Sequence, residues 1–345
     1  MKLLFKRVIN LFLKLIFTFL VGRLVHKFNE GKITIISMHG IMKYHDKVLW
    51  NPLREQLTPS ALERTVCVLS KHYTFISLDC AYAILSGKEK PVKNGLVFTL
   101  DDGYWNNLSY AGPIFKKYNV IPTIFVATKN IDECSPFWFD RLDYALQQLE
   151  GRYYKIKLLG SDFSFDLASR VSLKKSYASF REIIKRNFFK DEEMRDLLNS
   201  LSFDIEVITG KSLSSIIPYD DWARIASWEE LCDVSYQQEF NVGSHTVDHT
   251  RIALVSDDVV EYQLKESKAK IEQKLNVDCK FFCYPNGSYN LHVAQKVFDS
   301  GYSLAVTTEV GVNKVGDNLM TLRRFNIPNK YKVNDILHAL SPFRL

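Results

Sequence analysis

The feature that most constrains this chain is a run of short apolar segments, each followed by a helix-like one, beginning at residue 33. "ITIISM" (33–38), "TFISL" (74–78), "GLVFTL" (95–100), "TIFVA" (123–127), "EFNVG" (239–243), "CKFFCY" (279–284) and "SLAVTT" (303–308) read as strands. The unbroken apolar character of 95–100 marks a strand buried on both faces. "TPSALERTVCVLSKHY" reads as a helix with Thr58 as N-cap, Pro59 at the first helical position, and Leu62, Val66, Leu69 and Tyr73 on one face. "SWEELCDV", "DDVVEYQLKESKAKIEQKL" and "LHVAQKVFDSG" are further helices. Strand–helix alternation of this kind builds a mostly parallel sheet, and about seven such units predict an α/β barrel rather than an open sheet. No glycine-rich phosphate loop follows any strand, which argues against nucleotide-binding α/β folds.

Residues 141–226 break the rhythm. "YYKIKLLGSDFSFDL" predicts a hairpin over Gly160-Ser161-Asp162, and "LKKSYASFREIIKRNFFKDEEMRDLLNSL" predicts two helices. They read as an insertion that forms a lid or wall of a cleft within a domain spanning 33–345.

Charge is unevenly distributed. Residues 1–32 contain seven Lys or Arg and one acid, which accounts for the whole net charge of +6. The neutral remainder carries no general basic footprint for nucleic acid. The basic residues flank "VINLFLKLIFTFLVG", interrupted by Lys14 and too short on its clean apolar side to span a bilayer. No small-residue cleavage site follows it. The reading adopted is an interfacial basic helix, residues 1–28, on an anionic membrane surface; a helix packed on the domain and an uncleaved anchor are the alternatives. Six cysteines form no C-x-x-C pair and no zinc-site spacing, which suits a reducing compartment and predicts a cytoplasmic protein, peripheral on the inner membrane face.

Chemistry in parallel α/β folds collects at the C-terminal strand ends. Here those ends deliver His39 ("SMHG"), Asp101 and Asp102 ("TLDDG"), His245 and His249 ("FNVGSHTVDH"), and Tyr284, Pro285 and Asn286 ("FFCYPNG"). Two histidines four apart, joined by a carboxylate, make a catalytic zinc set with one open position. Adjacent residues in an extended chain face opposite ways, so one aspartate can bind metal while the other faces the water that the metal activates. The same geometry disfavours a glycosidase, since its two carboxylates must flank the scissile bond.

"TLDDG", "SHTVDH" and "YPNG" together resemble the polysaccharide deacetylases of the NodB-homology type, carbohydrate esterase family 4. "PIFKKYNVIPTIFVAT", "SWEEL", "DSGYSLAVTTEVG" and "LRRFNI" follow in matching order, so the resemblance runs over most of 33–328. It implies a distorted (β/α)7 barrel with Asp101 as general base and Asp102, His245 and His249 holding zinc or another divalent ion. It implies hydrolysis of an N-acetyl group on a sugar of a polysaccharide or lipid-linked glycan, and a backbone N–H near Asn286 for the developing oxyanion. The alternatives are a de-O-acetylase or deacylase of a saccharide, and a non-catalytic glycan-binding module.

Two departures from the family pattern matter. Cys283 stands where the third motif usually has Arg; Arg324 of "LRRF" is the candidate to orient Asp101, with Arg323 in reserve. The late Leu-x-His motif is also missing in clear form. His39 is taken as the general acid, with His338 of "DILHAL" as the alternative. Trp105 and Tyr284 are the candidate sugar-stacking aromatics, with Pro285 and Asn286 beside them.

Overall fold

The computed structural model describes residues 31–45, 48–54, 56–327 and 336–340. The residues 1–28 assigned to membrane contact lie outside them, as does the side chain of His338. The parallel strands are β1 (Ile33–Met38), β2 (Thr74–Phe75), β3 (Gly95–Leu100), β4 (Thr123–Val126), β7 (Asn241–Ser244), β8 (Phe281–Cys283), β9 (Leu304–Val306) and β10 (Phe325–Asn326). Their order is β10-β1-β3-β4-β7-β8-β9, with β2 beside the start of β3. The two ends of this sheet meet. Leu322 exchanges hydrogen bonds with Ala305 and Thr307 at β9, while Phe325, three residues on, is in register with Ile36 of β1. The sheet is therefore a curled, distorted (β/α)7 barrel.

Alternation along the buried strands divides the core in two. Ile36, Phe98 and Leu100 face the outer helices, including α1 (Pro59–Leu69). Ile35, Val97, Phe125, Cys283 and Val306 form the other cluster with α2 (Leu78–Leu85). Asp79 of α2 accepts from Asn241 and Lys280 at the starts of β7 and β8, so this helix closes the N-terminal end of the barrel. Only the C-terminal end stays available for a site. The strand predicted over 74–78 is two residues long, because Ser77 caps Cys80 and starts α2 there.

The remaining helices are α3 (Gly112–Lys117), α4 (Thr128–Asp132), α5 (Trp138–Gln148), α6 (Arg170–Asn187), α7 (Asp191–Thr209), α8 (Trp228–Tyr236), α9 (Asp257–Leu275), α10 (Leu291–Asp299) and α11 (Ile336–Ala339). Ser227 and Glu230 form a reciprocal capping box at α8. Helices α5, α6 and α7 pack with the antiparallel hairpin β5 (Tyr153–Leu158) and β6 (Ser161–Asp166) around a core of their own. The hairpin turns at Leu159-Gly160, just ahead of the predicted position. Both residues take positive φ, the geometry that suits a two-residue hairpin turn.

Candidate active site

Strand β3 carries its apolar run to Leu100 and then places Asp101 and Asp102 at the rim, both buried. Asp102 sits at φ 77° and Gly103 at φ 77°, so the chain turns sharply as soon as the acids are delivered. A Cβ at position 103 would stand 3.0 Å from Val126, which leaves glycine as the residue that fits. His249 and Asn286, on two neighbouring rim loops, also adopt positive φ. Such conformations cost free energy and recur where side chains must be aimed.

The two aspartates have different surroundings. Arg324, 1 % exposed, clasps Asp101 with two hydrogen bonds of 2.7 and 2.8 Å. Its remaining donors reach the Thr307 carbonyl at 2.8 Å, Thr99 Oγ1 at 3.0 Å and Cys283 Sγ at 3.2 Å. Cys283 thus leaves room for a guanidinium arriving from β10 in place of one carried on β8. Burial pushes the Asp101 carboxyl up, but the Arg324 guanidinium outweighs it and holds the group below the usual carboxylate range. Burial likewise pushes the Cys283 thiol well up, so this cysteine is neutral.

Asp102 faces His245 and His249. The Nε2 atoms of the two rings stand 3.6 and 3.4 Å from Asp102 Oδ1. His245 Nδ1 is 2.7 Å from the Cys283 carbonyl, which only accepts, so Nδ1 carries the proton and Nε2 presents a lone pair. Burial and then the neighbouring His249 push His245 down to about 4, which keeps it neutral. Asp102 Oδ1 is buried without a hydrogen-bond partner. An orphaned carboxylate oxygen beside two imidazole nitrogens, all within 4.8 Å of one another, fits a divalent cation. The structure also brings Asp101, His245 and Cys283 within the same distance of one another. With Asp101 bound by Arg324 and the thiol neutral, that second set is the poorer metal site.

His39 is exposed and lines the cavity above this cluster with Asp102, His249 and Asn286. Its loop is held from the β3 side. Asn107 donates to the His39 carbonyl at 3.0 Å, and Asn106 accepts from Ile41 N–H at 2.8 Å. The asparagines of "DDGYWNN" were missed as site residues; nothing in their spacing shows that they tie down a loop 65 or more residues away. Arg251, two residues after His249, also lines the cavity and was missed. So was Asp140 of α5, which accepts from Tyr104 at 2.6 Å and Trp222 at 3.2 Å and is raised to about 6, mainly by burial.

Three expectations about substrate contacts need correction. The Tyr284 ring is fully buried, with its hydroxyl donating to the Met320 carbonyl, so it cannot stack on a sugar. Pro285 is buried as well, and the turn it begins uses the N–H groups of Gly287 and Ser288 internally. Trp105 does not line the cavity; its ring lies 4.8 Å beneath the Arg224 guanidinium. Tyr284 and Pro285 fold back against the barrel, whereas Trp105 is half-buried beside Arg224. Asn286 is exposed at the cavity edge.

The fold and the cluster define a NodB-type barrel with a two-histidine, one-aspartate centre at its C-terminal end. The polysaccharide deacetylase family matches residues 190–305. The Bacillus subtilis protein YxkH, named for the same family, is 24% identical over 99 residues; the match spans 29% of this chain and 36% of that protein. Among solved structures, the Streptococcus pyogenes deacetylase PplD is similar at a TM-score of 0.60 and 19% identity, covering 91% of this chain and all of that one. IcaB from Ammonifex degensii gives 0.55 and 13%, covering 90% and 98%. A polysaccharide deacetylase from Bacillus cereus gives 0.55 and 17%, covering 90% and 70%. The chain is thus similar to polysaccharide deacetylases over residues 190–305 and shares the fold of their solved structures.

Proposed function

We propose that the protein is a hydrolase that removes N-acetyl groups from a sugar of a polysaccharide or lipid-linked glycan. The observation that carries this reading is the division of labour between adjacent aspartates. One is clasped by a buried arginine, and the other is left open beside two imidazole nitrogens.

A divalent cation, zinc in this proposal, would be held by Asp102, His245 and His249, and would supply Lewis-acid polarisation and a lowered pKa for water. Asp101, kept ionised by Arg324, takes the proton of the attacking water. Because Arg324 uses both carboxylate oxygens, the orientation of Asp101 is fixed before substrate arrives. The water oxygen adds to the amide carbonyl, and the N–H of Asn286 is placed to donate to the developing oxyanion. His39 gives a proton to the leaving nitrogen, the C–N bond breaks, and acetate and a free amine result. Asn107 holds the backbone of the loop that carries His39.

The test is acetate release from an N-acetylated oligosaccharide, with zinc counted on the same samples. Asp102→Ala should lose zinc and turnover together. Asp101→Asn should keep zinc and lose about 10²–10⁴-fold in rate, the usual worth of a positioned base. His39→Ala should keep zinc and lose the basic limb of the pH–rate profile. Full activity and full zinc in Asp102→Ala would refute the assignment.

A further inference from the structure

The cavity over the cluster has a volume of about 370 Å³, within the range of small-molecule sites. Its far wall comes from α6 and α7. On α6, Phe180, Arg181, Ile184 and Lys185 line it together, as residues four apart on a helix do. The wall is apolar, with Leu142, Met194 and Leu198 completing it, yet four cations face the same space: Arg54, Arg181, Lys185 and Arg251. Asp102 is the only carboxylate among the described lining residues, and it belongs to the metal cluster.

These cations have little to neutralise them. Among the described residues, Arg54, Arg181 and Lys185 make no ion pair; the Arg54 guanidinium lies 5.4 Å over the Phe139 ring. Arg251 binds Asp191 through Nε at 2.7 Å, but its Nη2 is buried with no hydrogen-bond partner, in a residue only 8 % exposed. Burial and then Arg54 lower Arg181, and burial and then Arg181 lower Lys185. Burial works against Arg54 too, but Asp140, foremost among its neighbours, raises it, so the crowding falls on Arg181 and Lys185, whose charged forms are disfavoured. A guanidinium with an orphaned donor, aimed into a cavity with three more cations, is built for an oxyanion with several acceptor oxygens. The apolar side chains of α6 and α7 around it suit a chain attached to that anion.

We propose that this cavity is a subsite for a phosphate ester on an apolar carrier, so that the substrate sugar is presented through a phosphate joined to a lipid chain. The phosphate meets Arg54, Arg181, Lys185 and Arg251, and the first carbons of the chain lie along α6 and α7. The sugar half of this proposal rests on the deacetylase reading; the phosphate half stands on the cavity alone.

The test is binding of dodecyl phosphate, below its micelle concentration, to the zinc-loaded full chain by titration calorimetry. Inorganic phosphate and dodecyl maltoside serve as the anion-only and chain-only probes. Dodecyl phosphate should bind at least about tenfold more tightly than either, and the Arg181→Gln/Lys185→Gln variant should lose about tenfold or more, the scale of charge-assisted hydrogen bonds. Zinc is common to both proteins, so phosphate ligation of the metal cannot produce that difference. Equal binding of dodecyl maltoside would remove the phosphate, equal binding of inorganic phosphate would remove the carrier, and unchanged affinity in the variant would remove the subsite. Because binding needs no turnover, failure of acetate release would count against the deacetylase reading only.

Discussion

At the barrel rim, Asp101 is clasped by Arg324 through two hydrogen bonds, whereas Arg54, Arg181 and Lys185 crowd the cavity under α5–α7 without an ion pair among the described residues. The difference separates two uses of charge. Asp101 is paired within the protein, so its geometry is fixed in the absence of any ligand. Charges on the helical wall are left for something else to pair, and the wall gives up stability to keep them so. In the proposed reading the barrel orients the acetylated sugar, and the wall adds a preference for what is attached to it.

The largest expected effect strikes the rim. Arg324→Gln leaves Asp101 as a buried carboxylate without its cation. Breaking a buried pair from one side costs about 3–5 kcal/mol, far more than the pair contributes against an apolar replacement. Chemical denaturation at neutral pH should show a loss of that size, and Arg324→Gln/Asp101→Asn should recover much of it, since no unpaired charge remains. If the single and double variants were equally unstable, packing of the arginine stem would be the larger factor, and the contrast between rim and wall would lose its basis.

A smaller effect distinguishes the wall. Asp143 of α5 is 2 % exposed; it accepts from Leu53 N–H at 2.9 Å and from Gln147 at 2.7 Å. Burial outweighs these bonds and raises it to about 7. Its folded pKa lies above its unfolded value near 4, so between those pH values the unfolded state binds fewer protons and stability falls as pH rises. The loss is complete above about pH 7. Asp143→Asn keeps an acceptor for Leu53 and removes the titration. The variant should match wild type near pH 4 and exceed it by about 1–3 kcal/mol at pH 8. A constant difference across that range would show that Asp143 stays ionised in the folded protein.

Much of this was legible in the sequence because it depends on local pattern. The apolar runs ending in polar residues marked both the barrel and the rim, and the order of His39, Asp101, Asp102, His245 and His249 followed. What could not be read depends on which distant groups meet. Cys283 is an ordinary small residue in sequence, and its role as the gap filled by Arg324 appears only once β8 and β10 are neighbours of the same interior. The cations of the wall are scattered over residues 54 to 251 and share no motif. Tyr284 failed as a sugar platform because position along a strand end gives backbone placement, not the direction of a ring.

The smallest effect concerns what joins the rim strand to its acid. Asn107 donates to the His39 carbonyl at 3.0 Å, and its neighbour Asn106 holds Ile41 N–H and the Trp222 carbonyl. Asn107→Ala removes the partly buried bond to the His39 carbonyl and the 3.4 Å bond to Asn106 Oδ1, a cost of about 1–3 kcal/mol. His39 is exposed and keeps its other loop contacts, so the expected kinetic change is a loss of a few-fold in kcat with KM and zinc content unchanged. In the proposed mechanism Arg324→Gln acts on the base and Asn107→Ala on the acid, so their effects on the rate should add in free energy if proton uptake and proton delivery are held by separate parts of the rim. A double variant no slower than Arg324→Gln alone would mean that the loop bearing His39 and the arm bearing Arg324 move as one unit.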